Sequence, residues 1–136
     1  MYRVFYIAIR SISMPHIIVE QSANLKNIDA IDLLTELNHA LFASGSVAHI
    51  DEIKSRLRID DDFVIGSGNH HQAYIHVKIH LLSGRTFEQK QKISECVMQR
   101  LKQYKFFNAD QLELQLCVEL IEMDREFYIK TKLNLN

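Results

Sequence analysis

Pro15 is the only proline in the chain, and it directly follows Met14 in the run Met14-Pro15-His16-Ile17-Ile18-Val19-Glu20. If translation starts at Met14 and that methionine is trimmed, the chain begins with a secondary amine fixed in a ring. Such a group is a base. As an internal residue the same nitrogen is a planar amide whose lone pair is lost to resonance, and Pro15 is then a proline at the first residue of a strand, where its missing N–H breaks no ladder. The chemistry therefore turns on whether residues 1–13 belong to the working protein. Two further groups of cations bear on it: Lys54 and Arg56, which alternate with apolar residues, and Arg85, which stands just before Thr86.

Size and composition narrow the classes. A chain of 136 residues with 47% hydrophobic and 24% charged residues reads as one ordinary globular domain. The net charge is −1, which argues against a general nucleic-acid binder; residues 1–13 carry Arg3 and Arg10 and no acid, so without them it falls to −3. The two cysteines, Cys96 and Cys117, lie in apolar-periodic segments without a CxxC pattern, as buried free thiols of a reducing cytoplasm would. Seven histidines are present, including His70-His71 in a loop-like stretch and His76 and His80 in a strand, but none forms a helical His-x-x-x-His pair or a Cys/His knuckle. No metal is expected. The apolar run at residues 4–9 is too short for a membrane span and lacks a cleavage site. It reads either as an extra strand or as sequence upstream of the true start.

The elements that must position these residues repeat. Residues 17–21 suit a strand. Asn27 is placed to cap a helix whose face is Ile28, Ile31, Leu34, Leu37 and Leu41, ending at Gly45. Ile53, Ser55, Leu57 and Ile59 alternate with Lys54, Arg56 and Arg58, giving a half-buried strand with a basic side. Gly66-Ser67-Gly68-Asn69 is turn chemistry. Ala73, Ile75, Val77 and Ile79 then alternate with Tyr74, His76, Lys78 and His80 in a third strand. Thr86 with Gln89 is a capping box for a second helix, striped by Ile93, Val97, Leu101 and Tyr104. Residues 112–120 form the last strand. Arg85 thus precedes a helix N-terminus, where anions are favoured.

The order is β-α-β twice, which predicts an α+β fold: a four-stranded mixed sheet with both helices on one face. The other face, with Tyr74, His76, Lys78 and His80, needs a cover, and a neighbouring subunit could supply it. The tail at 123–136 carries Phe127, Tyr128, Ile129 and Leu133 and reads as an arm that packs on a partner chain. The domain is expected to run from 14 to 136, with 1–13 as an N-terminal extension.

From Met14 to about Leu135 the chain resembles the 5-carboxymethyl-2-hydroxymuconate delta-isomerase family of the tautomerase superfamily. The resemblance is carried by Met-Pro-His-Ile-Ile-Val-Glu (14–20), Ser-Ala-Asn-Leu (22–25), Ile-Lys-Ser-Arg (53–56), Ala-Tyr-Ile-His-Val (73–77) and Ser-Gly-Arg-Thr-Phe-Glu (83–88); the first and last of these are the specific ones. It implies a homotrimer, no cofactor, and an N-terminal proline, here Pro15, as catalytic base. It also implies that Arg85 binds substrate. Position 54, where the family usually carries a second arginine, is Lys54 here; lysine keeps the charge and loses the bidentate fork, and Arg56 on the same strand face could compensate. The function so implied is a cytoplasmic isomerase acting on a small unsaturated oxo-dicarboxylic acid in aromatic catabolism, with no nucleic-acid or membrane partner. Two other classes stay open. A non-catalytic trimer of this fold that binds a small anion accounts for residues 1–13 and for Lys54. A ferredoxin-like regulatory domain accounts for the doubling but not for Met14-Pro15.

Overall fold

In a computed structural model the described residues are 2–6, 14–68, 71–106 and 111–135, with residues 2–6 as backbone only. Asn69 of the expected turn, His70, residues 7–13 and Asn136 lie outside them. The repeated unit is present twice. Strand β2 (His16–Ser22), helix α1 (Ala30–Ala43) and strand β3 (Lys54–Asp60) form the first β-α-β; strand β4 (Gln72–Leu82), helix α2 (Phe87–Gln103) and strand β5 (Glu113–Met123) form the second. Each unit pairs its strands in parallel, β2 with β3 and β4 with β5. The two units join through antiparallel pairing of β2 with β4, giving a sheet of order β3-β2-β4-β5.

Alternation along the strands explains the layering. Ile17, Val19, Ala73, Ile75, Val77 and Ile79 are fully buried in one core with Leu33, Leu37 and Leu41 of α1 and Ile93, Val97 and Leu101 of α2. Both helices therefore cover one face. The intervening residues, His16 and Glu20 of β2, Lys54 and Arg56 of β3, and Tyr74, His76, Lys78 and His80 of β4, share the other face through their strand register. That face is polar, with Lys78 paired to Glu20 at 2.7 Å and His76 to Glu119 at 2.8 Å.

The helix ends show where local signals decide. The capping box of α2 forms in full: the Gln89 amide donates to the Thr86 hydroxyl at 3.1 Å and the Thr86 amide to the Gln89 side chain at 2.9 Å. Gly45 follows α1 with φ of +83°, and its amide donates to Phe42 O at 3.1 Å. The start of α1 corrects the sequence expectation. The cap is Asp29, whose carboxylate accepts from the Asp32 amide at 3.1 Å, while Asn27 lies two residues upstream with φ of +59°. Ile31 is also not on the buried face: it is 76% exposed, and Leu33 takes its place in the core.

Two strands stand outside the four-stranded sheet. β1 (Tyr2–Tyr6) pairs antiparallel with β6 (Thr131–Leu135), from Tyr2 opposite Leu135 to Tyr6 opposite Thr131. The tail thus meets its own chain, through β1 and through Tyr128, described below. Its apolar groups still face outward, Phe127 at 83% and Ile129 at 88% exposure. No helix among the described residues is long and apolar enough to cross a membrane.

The shifted helix face is testable. Leu37→Ala should cost about 2–5 kcal/mol in chemical denaturation, because it removes a fully enclosed side chain, whereas Ile31→Ala should stay within about 0.5 kcal/mol.

Candidate active site

The strand directions bring four segments to one end of the sheet. Pro15 immediately precedes β2. Lys54 opens β3, parallel to β2 and in register with His16. β4 runs the other way, so its C-terminal end, with His80 opposite His16, delivers Leu82 and then Arg85 to this same end. β5 is parallel to β4 and delivers Met123 and the tail.

Pro15 is buried, and so is Met14 before it. The Pro15 carbonyl accepts a hydrogen bond from the Lys54 amide at 3.2 Å, which fixes the proline against the first residue of β3. Lys54 and Arg56 are exposed on the open face. Arg56 Nη1 lies 3.5 Å from His16 Nδ1. An arginine only donates, so Nδ1 accepts and the imidazole proton belongs on Nε2, which meets the Tyr128 hydroxyl at 3.0 Å. The two rings stand edge to face with centroids 6.2 Å apart.

Arg85 reaches the site differently. Gly84 before it has φ of +120°, a conformation that side chains rarely adopt, and a Cβ there would approach the Arg125 guanidinium at 3.6 Å. The turn directs the half-buried Arg85 guanidinium to the carbonyls of Leu82, at 3.1 Å, and Ser46, at 2.9 Å. Burial, and secondarily the charge of Arg125, lower its pKa. Two of its five N–H donors are thus engaged with backbone, and among the described residues no carboxylate lies within ion-pair distance of it. The same holds for Lys54 and Arg56.

Cations dominate this end, and the histidines record it. His16 is held below its ordinary pKa by burial first, then by Arg56, Lys54, His80 and Lys130. His80 is lowered by burial, then by Arg56 and Lys78, and its buried Nε2 has no hydrogen-bond partner among the described residues. Both imidazoles are therefore neutral donors or acceptors rather than additional charges.

The structure brings Pro15, Lys54 and Arg56 together through His16 and the strand register, and carries Arg85 to the same end in a carbonyl-lined loop. Sequence reading passed over Tyr128 and Lys130 of the tail, and it gave His16 no role. The usable signal was slight: an aromatic and a lysine two apart in a segment already singled out as a packing arm.

Comparison with known proteins bears on the family. The family model described as 5-carboxymethyl-2-hydroxymuconate isomerase matches residues 15–135. The chain belongs to the 5-carboxymethyl-2-hydroxymuconate isomerase family. It is 29% identical over 111 residues to the 5-carboxymethyl-2-hydroxymuconate Delta-isomerase of Escherichia coli, covering 81% of this chain and 87% of that one. Among solved structures, a 5-carboxymethyl-2-hydroxymuconate isomerase from Deinococcus radiodurans R1 superposes with a TM-score of 0.76 at 26% identity, covering 87% of this chain and 89% of that one. A fused 4-OT, a symmetric trimer, shares the fold with a TM-score of 0.52 at 21% identity over 79% of this chain and 85% of that one. Membership of this isomerase family assigns the protein to the isomerases and tautomerases, with the tautomerase fold.

The depressed histidines set a pH dependence. Their folded-state pKa values lie below the ordinary 6.5, so as the pH falls the unfolded chain takes up protons first. Stability is present above that value and is lost on acidification. Lowering the pH from about 7.5 to about 5.5 should reduce the unfolding free energy, and His16→Asn should flatten that slope; an unchanged slope would show that His16 is not held neutral.

Proposed function

We propose that the protein moves a proton beside the carbonyl of an unsaturated oxo-dicarboxylic acid, with the Pro15 nitrogen as base. The working chain then starts at Met14 and loses that methionine, leaving residues 15–136 as the functional domain. The observation that carries this reading is that the family match begins at Pro15 itself, the residue that stands at the cationic end of the sheet.

The chemistry follows from the charges. An unperturbed α-amino group has a pKa near ~8 and is largely protonated at neutral pH. Burial and the positive charges of Lys54, Arg56 and Arg85 favour its neutral form. The free amine takes a proton from the carbon next to the carbonyl, the carbonyl oxygen gains negative charge, and the amine returns the proton at another carbon of the conjugated system. Arg85, Lys54 and Arg56 hold the substrate carboxylates and stabilise the developing oxyanion. No cofactor is needed for this transfer. An unsaturated substrate with at least two carboxylates is supported by the activity named for the Escherichia coli relative; a place in aromatic catabolism is part of the proposal. A homotrimer is part of the proposal, supported by the polar face without a covering layer, by the exposed apolar groups of the tail and by the trimeric fold relative. A cytoplasmic location accords with the free thiols Cys96 and Cys117, although Cys96 is only half-buried and Cys117 is exposed rather than buried as expected from the sequence.

A second reading rests on one observation: Tyr2–Tyr6 pairs with β6. If residues 1–13 stay on the chain, Pro15 remains an amide, and the protein is a non-catalytic member of the fold that binds a small anion at the same cations.

Intact mass and N-terminal sequencing of protein expressed from its native locus separate the two. Proline at position one with turnover of enol diacids is the expected result; a chain beginning at Met1 selects the anion binder. Pro15→Ala keeps a primary amine in place and should lower kcat/KM by roughly 10- to 100-fold, part of the ~10²–10⁴ that a positioned base contributes. Unaltered turnover would remove Pro15 from the mechanism.

A further inference from the structure

The tail brings a cation to the site that none of the assigned residues accounts for. Lys130 and Lys132 line a cleft of about 440 Å³ together with Lys54, His49, Asp51 and Glu52. Lys130 is two residues beyond Tyr128, whose hydroxyl is tied to His16 Nε2 at 3.0 Å, and Lys54 is tied to the Pro15 carbonyl at 3.2 Å. The Lys54 backbone is thus held beside Pro15, and Tyr128, two residues before Lys130, beside His16. The Lys54 and Lys130 side chains line the same cleft, so two positive charges share one small space. Glu52 lies close enough to favour the charged form of Lys130, and Lys132 opposes it, but among the described residues no carboxylate forms an ion pair with either Lys130 or Lys54. Like charges lining one cleft repel, and an anion seated between them relieves the repulsion.

We propose that Lys130, together with Lys54, forms the subsite for the second carboxylate of a dicarboxylate substrate and sets the preference for diacids over monoacids. The proposal rests on the reading of the Pro15 end as a tautomerase site. It also gives a reason for lysine at position 54. A guanidinium grips a carboxylate through two parallel N–H bonds and one ammonium does not, whereas two ammoniums from separate chain segments restore a two-point hold. Burial and the neighbouring lysines lower the Lys130 pKa, so its charge, and with it the diacid preference, fades at lower pH than for an ordinary lysine.

Calorimetric titration of the purified protein with glutarate and with butyrate tests this without requiring turnover. Lys130→Gln should weaken glutarate binding by about 10-fold or more and leave butyrate unchanged, while Lys130→Arg should keep glutarate binding; the far-ultraviolet spectrum checks that each variant folds. Equal glutarate affinity in wild type and Lys130→Gln, an equal loss for butyrate, or no glutarate binding by the wild type would each overturn the subsite. Enol-diacid turnover measured on the same samples keeps the two ideas apart. Turnover with Lys130-independent glutarate binding rejects the subsite alone, and Lys130-dependent binding without turnover rejects the tautomerase reading alone.

Discussion

The structure depends on one pairing, the antiparallel contact of β2 with β4 that joins the two β-α-β units. Within each unit the crossover helix makes the strands parallel, so β2 and β3 begin at one end and β4 and β5 finish there. Because β2 and β4 are opposed, with His16 across from His80, these four chain ends coincide. Residues separated by up to 112 positions, such as His16 and Tyr128, then become neighbours. A one-residue slip of that register would turn the strand faces over, sending Lys54, Arg56 and His16 toward the helices and Ile17 and Val19 into water. The fully enclosed core under both helices forbids it.

The same pairing creates an electrostatic gradient along the open face. In the middle of the sheet, acids have partners: Glu20 pairs with Lys78, and Glu119 meets the His76 ring. At the Pro15 end, Lys54, Arg56, Arg85 and Lys130 have no such partners among the described residues. Burial and this excess positive charge hold His16 and His80 neutral. A titratable amine placed there would feel the same field, and an anionic substrate would be drawn toward it. Cations without acidic partners at one end are the pattern expected of the anion site proposed above, where function outweighs local stability.

Much of the fold was legible because its signals are local. The period of two in β4 and the Thr86–Gln89 box depend on residues a few positions apart, and both appear as expected. The start of α1 was misread because Asn27 and Asp29 are both good caps, and the choice depends on where the chain turns after β2. Ile31 was misplaced because steps of three drift round a helix: Leu33, Leu34, Leu37 and Leu41 make the buried face, and Ile31 lies about 120° round the helix from Leu37. Of the candidate site, Pro15, Lys54, Arg56 and Arg85 were named from sequence and lie toward one end of the sheet, though the engagement of Arg85 with the Leu82 and Ser46 carbonyls was not foreseen. Tyr128 and Lys130 were invisible as site residues, because only the far-range return of the tail places them beside β2.

The single proline makes the central claim directly measurable. In protein carrying ¹⁵N-proline as its only label, Pro15 gives one nitrogen resonance. The account predicts a signal in the amine range that titrates with a midpoint below the ordinary α-amino value of ~8. An amide-range signal that does not move with pH would contradict it.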